Sequence, residues 1–574
     1  MVEFRDWAPK SVLPFKNYSW RHFAADLLAG ITVGLVALPL AMAFAIASGV
    51  PPQLGLYCAI VAGFLISALG GSSTQIGGPT GAFVVVVAGI VARYGLEGLY
   101  LCTLMAGVFL VIMGATGLGT AVKFIPRPVI VGFTNGIAVI IASTQIKDFF
   151  GLKIDHVPGE FWARLEVLAR NFTTISFTET MLGIWALVVI LFCSRYLRKL
   201  PGYIVVLFVG TLLVWILKLP VETIGTRFGG IPAGLPALVI PAFHFTHLRP
   251  LIGPAITVAM LGAIESLMSA VVSDRMSGDK HNPNVELVAQ GIANIISPMF
   301  GGLPATGAIA RTATNIKSGA RTPVAGMTHA LTLLFIVVFA APLAKFVPLA
   351  VLSAILLVVA YNMGEWREIP GLLKLPKLEV GTWLLTFLLT VFADLTVAVE
   401  AGMIMGALVF ISKVTSTTTV SRVTPEYVEH GRRHSLQGKD IPPYVAVYRI
   451  HGPFLFGAAD KLEDVIQQLP GLPPVIILRL RNMTAIDATG LQMLEHFADV
   501  VHSAHKAVIL CGALKQPALF MQQAEFEEHV GKNNICDSIL EALDRARDVY
   551  EEMCSKLLAE PPHDGKTEEV AAQE

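Results

Sequence analysis

Between residues 27 and 415 the chain is a succession of apolar stretches, separated only by short loops rich in Gly and Pro or carrying basic residues. About 20 apolar residues let an α-helix cross the hydrocarbon core of a bilayer. Backbone polar groups at that depth have no water to bond, so spans of this kind are helical. Composition agrees: 54% of the 574 residues are hydrophobic, only 15% are charged, and mean hydropathy is +0.65. The first 26 residues are mixed polar and aromatic, unlike a cleavable signal, and a long apolar run follows. A net charge of zero gives no reason to expect nucleic acid as a partner. The six cysteines, Cys58, Cys102, Cys193, Cys511, Cys536 and Cys554, are scattered without metal-ligand spacing and read as apolar fillers.

The apolar region divides into about 14 spans. With the N-terminus placed in the cytoplasm, four basic groups fall inside. They are Arg195, Arg198 and Lys199; Arg275 and Lys280; Lys317 and Arg321; and Arg367, Lys374 and Lys377. That arrangement satisfies the positive-inside rule. An even span number returns the C-terminus to the cytoplasm. The expected organisation is an N-terminal cytoplasmic segment at 1–26, a transmembrane domain at 27–415 and a linker at 416–442. A small domain at 443–551 and a disordered tail at 552–574 follow.

The membrane part repeats itself. GITVGL begins at Gly30 and AITVAM begins at Ala255, 225 residues on. GGPTGAF carries Pro79 and GGLPATGAI carries Pro304, again 225 apart. KFIP ends at Pro126 and KFVP at Pro348, 222 apart. Two halves of about seven spans each are predicted. An odd number inverts the second half relative to the first, as in secondary transporters whose substrate site lies at the repeat interface.

Two stretches at matching places are too short or too Gly-rich to cross as one helix. One runs Gly78-Pro79-Thr80-Gly81-Ala82-Phe83 and the other Pro304-Ala305-Thr306-Gly307-Ala308. Pro suits the first turn of a helix, where its missing N–H is not needed. Gly lets a ligand approach the backbone. The unpaired N–H groups and the positive dipole end at a helix start hold an anion without a full charge. The expected binding residues are Gly78, Thr80, Gly81, Ala82, Phe83, Ala305, Thr306, Gly307 and Ala308. The threonines would add hydroxyl donors and Phe83 a wall. Tight helix packing is the other use of such Gly and Thr positions. Arg311 either attracts anions at the end of the second half-helix or is a plain loop charge on the inner side.

Glu265 lies in PAITVAMLGAIESLMSAVV, inside an apolar span. An ionisable group there is costly and marks a functional site by default. It is expected to couple a cation to anion movement, with Ser269 one turn on and the Thr306 region completing a Na⁺ or H⁺ site. Otherwise it anchors one helix to another. No other metal and no cofactor is expected, and no catalytic motif is visible. Asp26, Asp394 and Glu400 read as interfacial caps, and Asn135 and Gln145 as polar contacts between helices.

Beyond residue 443 the runs shorten and alternate. VAVYRIHG, PVIILRLRN and KAVILCGA read as strands, and ADKLEDVIQQL, TGLQMLEHFADVVHSA and NICDSILEALDRARDVY as helices. That pattern predicts a small α/β domain.

The GGPTGAF and GLPATGAIART segments, GAIESL around Glu265 and the trailing NMTAIDATGLQML together resemble the SulP sulfate-permease family of anion transporters, over roughly residues 15–551. The resemblance implies two inverted seven-span repeats arranged as core and gate, a STAS domain at 443–551 and a homodimer. It implies that the anion lies between the third and tenth spans, at Thr80–Phe83 and Ala305–Ala308. It also ties the acidic residue of the eighth span, here Glu265, to cation coupling. Bicarbonate carriers of the family have Asp at that place, which favours protons over sodium here. STAS domains resemble anti-sigma factor antagonists, phosphorylated after the Asp of D-S-[S/T]-G. This chain reads Asp487-Ala488-Thr489-Gly490, with Ala at the acceptor position.

The expected function is secondary active transport of a small inorganic anion, sulfate first, coupled to H⁺ or Na⁺ by elevator-like alternating access. Bicarbonate or a C4-dicarboxylate as substrate, an uncoupled anion channel and a membrane-tethered signalling module are the alternatives.

Overall fold

The computed structural model describes residues 7–12, 18–120, 126–154, 157–197, 201–232, 234, 238, 248–393, 395–423, 441–458 and 460–559. It divides into two compact units, 1–406 and 407–574. Arg198, Lys199 and Asp394 lie outside the described residues.

In the first unit, α1 (Trp20–Ala47), α2 (Pro52–Leu69), a two-residue strand β1 (Gly77–Gly78) and α3 (Gly81–Ala115) open the chain. Next come α4 (Arg127–Phe150), α5 (Phe161–Arg170), α6 (Phe177–Tyr196), α7 (Gly202–Leu217) and the short α8 (Ile224–Phe228). Then follow α9 (Leu248–Ser277), α10 (Pro283–Ile296), a second short strand β2 (Thr306–Gly307) and α11 (Ile309–Lys317). The series ends with α12 (Pro323–Ala344), α13 (Leu349–Met363), α14 (Ile369–Leu372), α15 (Lys377–Phe392) and α16 (Leu395–Thr417). Among the described residues, α1, α2, α3, α4, α6, α9 and α12 are long and apolar enough to cross a membrane, and α7 and α13 are shorter apolar helices.

Local sequence explains several boundaries. Helix α10 starts at Pro283 behind Asn282, whose side chain accepts from the amides of Asn284 and Val285 at 3.1 and 3.2 Å. Helix α12 starts at Pro323 behind Thr322. Helix α3 is broken at Gly95, with φ 67° and ψ −171°, a backbone state that only Gly adopts readily. Small residues set the closest helix contacts. Gly107 of α3 and Gly291 of α10 face one another, and a Cβ on either would lie 2.7 or 2.6 Å from the other's carbonyl oxygen. Helices α1, α2, α3, α9, α10, α11 and α12 pack mainly on one another, with α2 against β1 and α9 against β2, while α4, α6, α7, α13 and α15 pack mainly among themselves and meet the first group through α1 and α3.

Asp26 lies inside α1, not ahead of it, and it caps another helix. Its Oδ1 accepts from the amides of Arg321 and Thr322 at 2.7 and 3.2 Å, and Oδ2 from the Thr322 hydroxyl at 2.6 Å. Gln145 donates to Thr144 of its own helix, at 2.7 Å. Asn135 is fully buried, and its side chain has no hydrogen-bond partner among the described residues. Neither residue therefore makes the interhelical bond expected of it. Glu400 is on α16 and exposed.

The second unit is a five-stranded sheet in the order β3-β4-β5-β6-β7. Its strands are β3 (Thr419–Arg422), β4 (Val445–Phe454), β5 (Val475–Ile486), β6 (Ala507–Cys511) and β7 (Ile535–Cys536). The β3–β4 pair is antiparallel and the others are parallel. Its helices are α17 (Asp460–Gln467), α18 (Ala488–Ser503), α19 (Lys515–Gln523), α20 (Glu527–Val530) and α21 (Ile539–Ala559). Side chains alternate between the two sheet faces. Ala446, Tyr448 and Ile450 join α17 and α18 in one core. Val445 and Val447 join Ile539, Ala542 and Ala546 of α21 in the other. The stretch read as a linker holds the end of α16 and sheet strand β3, and α21 continues to Ala559, past the expected start of the tail.

Candidate functional site

The two segments singled out by the repeat meet inside the first unit. Strands β1 and β2 are both buried. They pair antiparallel, Gly77 opposite Gly307 and Gly78 opposite Thr306. The ribbon is extended by the Ala308 amide, which donates to the Ile76 carbonyl at 2.8 Å. Each strand leads directly into a helix start. Helix α3 follows β1 after Pro79 and Thr80, and α11 follows β2 after Ala308.

Neither helix start is capped by its own side chain. Thr80 occupies the cap position of α3 but makes no cap bond. Its hydroxyl donates instead to Glu265 Oε2 at 2.8 Å. Ala308, at the cap of α11, has no side-chain acceptor to offer. First-turn N–H groups are thereby left for another partner. Gly81 keeps the approach to α3 close; a Cβ there would meet Met363 Sδ at 2.9 Å and Phe44 Cε1 at 3.3 Å. Ala82, Phe83 and Ala305 are buried. Phe83 turns its ring toward Gly262 of α9.

Arg311 is in the first turn of α11 and only 3% exposed, so it is no loop charge. Its Nη2 donates to the Pro79 carbonyl, tying α11 to the start of α3. Its buried Nη1 has no hydrogen-bond partner among the described residues. A buried guanidinium with a free N–H is expensive unless an anion completes it. Glu265, half-buried on α9, is an electrostatic neighbour of this group. Gly78, at φ +143°, is needed here twice over: a Cβ would strain the backbone and stand 2.7 Å from Arg311 Nη1.

The rest of the site is held by polar side chains, among them Ser266, Thr312, Asn294 and Glu286, which the sequence reading passed over. Thr306 Oγ1 lies 2.7 Å from Ser266 Oγ and donates to the Gly262 carbonyl at 3.1 Å. The Gly307 amide donates to Ser266 Oγ at 3.1 Å. Ser266, not Ser269, is therefore the α9 hydroxyl at Thr306. Ser269 pairs with Thr312 of α11 at 3.1 Å, because α11 runs along that part of α9. Thr312 in turn accepts from the Ile76 amide at 3.0 Å. Asn294 of α10 both accepts from the Ala305 amide and donates to its carbonyl, each at 2.8 Å. Glu286, fully buried in the first turn of α10, accepts from the amides of Gly71 and Ser72 at 2.9 and 3.1 Å, fixing the chain that leads to β1. The visible signal for these residues was polarity within apolar runs: Ser266 follows Glu265 directly, and Asn294 and Glu286 interrupt α10.

The chemistry of this site is that of two uncapped helix N-termini and one guanidinium with a free N–H, a donor set for an oxyanion, while the Thr80 and Thr306 hydroxyls are given to Glu265 and to the Gly262 carbonyl. Glu265 brings a single carboxylate beside it. No group of three or more His, Cys, Asp or Glu able to hold a metal occurs among the described residues.

Fold and site together define a helical membrane transporter fold followed by a STAS domain. The chain belongs to the sulfate permease family, whose sequence pattern matches residues 23–386, and the STAS domain pattern matches residues 439–542. It is 39% identical to "Putative sulfate transporter YvdB" of Bacillus subtilis (strain 168) over 526 residues, 91% of this chain and 98% of that protein. The transmembrane domain of a cyanobacterium bicarbonate transporter, BicA, superimposes with TM-score 0.61 at 34% identity, covering 67% of this chain and 98% of that one. A structure of SLC26A9 superimposes with TM-score 0.81 over 95% of this chain and 93% of that one. Its 18% identity makes that a likeness of fold.

Proposed function

We propose that this chain is a secondary active transporter of a small inorganic anion, sulfate in the first place, driven by H⁺ or Na⁺ through elevator-like alternating access. One observation carries the reading: the unpartnered Nη1 of buried Arg311, tied by Nη2 to the start of α3. A tetrahedral or planar oxyanion fits N–H donors of this kind. The residues offered for it are Gly78, Thr80, Gly81, Ala82, Phe83, Ala305, Thr306, Gly307, Ala308 and Arg311. Glu265 is the coupling group: its carboxylate takes the Thr80 hydroxyl, so a proton or cation arriving at Glu265 acts directly on the anion side. The family and the sulfate named for the Bacillus relative favour sulfate; the likeness to BicA makes bicarbonate the second choice.

The wider architecture belongs to the same proposal. Divided at Gly95, α3 counts as two spans. Then α1 to α7 without α5 give seven spans, and α9 to α16 without α14 give seven more. The matched prolines 126 and 348 stand at the caps of α4 and α13. The helices around β1 and β2 would be the moving core and the others the gate, with the N-terminus and STAS domain cytoplasmic and the protein a homodimer.

The test is uptake of labelled sulfate, bicarbonate and succinate into proteoliposomes, with and without inward H⁺ or Na⁺ gradients, for the native protein and Glu265→Gln. Sulfate uptake stimulated by the H⁺ gradient, with the stimulation lost in Glu265→Gln, is expected. Gradient-independent flux would make the protein a channel, and unchanged stimulation in the variant would remove Glu265 from coupling.

A further inference from the structure

An apolar groove of about 500 Å³ runs between α1, α2, α7 and α12, apart from the site around Arg311. Leu38 and Met42 of α1, Leu212 and Trp215 of α7, Ala340 of α12 and Phe346 beyond it line the groove. In a chain that crosses a bilayer, an unfilled apolar groove between helices fills with hydrocarbon. The α7 wall is open to the surroundings: Phe208 and Trp215 are each 58% exposed. Such a groove is therefore reached from the lipid phase.

The end of the groove is charged. Helix α7 stops at Leu217, and Lys218 follows in the left-handed conformation at its C-cap. Helix α12 stops at Ala344, and Lys345 follows with its Nζ 4.9 Å from the centre of the Phe346 ring, a ring that lines the groove. The two ends are joined. The Gly225 amide donates to the Lys345 carbonyl at 2.9 Å, the Ile224 amide to the Val347 carbonyl at 2.9 Å, and Thr223 bridges Pro348. Both lysines are exposed. The nearby carboxylates are already engaged: Glu222 takes Arg227 through both oxygens, and Asp148 takes Arg227 at 2.8 Å. Among the described residues neither lysine forms an ion pair.

We propose that this groove binds an anionic phospholipid, with an acyl chain along the α1, α7 and α12 walls and the headgroup phosphate at Lys218 and Lys345. A headgroup phosphate takes charge-assisted hydrogen bonds from lysine ammonium groups, and an indole at the boundary sits at headgroup level. The site goes beyond anion transport and does not depend on it. It lies between helices of the two packing groups, α1, α2 and α12 on one side and α7 on the other, so an occupant bears on both.

The experiment is native mass spectrometry of the purified full-length protein, delipidated and then exposed to equal amounts of phosphatidylglycerol and phosphatidylcholine of the same acyl chains. Retention of phosphatidylglycerol over phosphatidylcholine is expected. Lys218→Gln with Lys345→Gln should abolish the preference, and Ala340→Trp should reduce retention of both lipids by filling the groove. Lys374→Gln with Lys377→Gln, in the α14–α15 loop and at the start of α15, should change nothing. Thr211→Phe serves if Ala340→Trp does not fold. Equal retention of the two lipids by the native protein, or a preference that survives the lysine pair, overturns the proposal.

Discussion

Gly78 carries two constraints at once, a positive φ and the guanidinium of Arg311 where a Cβ would stand. Gly89, further along α3, has open space around it and an ordinary helical backbone. The contrast makes a paired test. Gly78→Ala is expected to lower thermal stability by about 1–3 kcal/mol from backbone strain and to cut anion uptake severely. Gly89→Ala is expected to leave uptake intact and to stabilise by about 0.5–1 kcal/mol, the helix preference of Ala over Gly. Thermal unfolding in detergent and proteoliposome uptake read both. Equal behaviour of the two would remove Gly78 from the site. At this scale the sequence was informative where chemistry and repetition coincided. Thr80, Thr306 and Glu265 were found because two Pro-Gly segments recur at one spacing and one carboxylate interrupts an apolar run. Ser269 was named on helical spacing from Glu265, whereas the α9 hydroxyl beside Thr306 is that of Ser266 and Ser269 pairs with Thr312 of α11. No single-sequence pattern announces which of two neighbouring hydroxyls a partner helix will meet.

Elements hold one another at their ends. Asp26, buried in α1, takes the amides of Arg321 and Thr322 and the Thr322 hydroxyl at the start of α12, and Tyr18 donates to it at 3.0 Å. Hydrogen bonds to a charged group contribute roughly 1.5–3 kcal/mol each and are not additive. Asp26→Ala is therefore expected to destabilise by about 3 kcal/mol or more. Asp26→Asn, which keeps one acceptor, should fall between it and the native protein. A thermal midpoint unchanged in Asp26→Ala would refute the capping role. Helices and strands with clean hydropathic periods were legible, including β4, β5 and β6 and the helices α17 and α18. Elements whose existence depends on partners were not. Strand β3 is a four-residue edge that pairs with β4, and β1 and β2 are two residues each, made strands only by one another.

As a whole, the molecule is two units, each with its own core. Removal of residues 443–574 should leave a membrane unit that still takes up anion, at an altered rate, since every residue offered for the anion lies before residue 312. Complete loss of uptake by a truncated protein that remains monodisperse and normally folded would make the second unit part of the transport machinery. The Ala488 position carries no hydroxyl, so regulation by phosphate at that residue is closed to this chain. The ribbon of β1 and β2 has a consequence for how such a protein is made. Arg311 and the Pro79 carbonyl are 232 residues apart in the chain. During synthesis the first strand enters the bilayer with its edge unmatched and must wait through the insertion of α3 to α10 before β2 arrives to seal it. Backbone polar groups exposed to lipid are costly, so the interval demands temporary cover, from water, from neighbouring helices or from the insertion machinery. A ribosome stalled before residue 306 would hold a chain with α1 to α10 and only the Gly78–Phe83 half of its binding site.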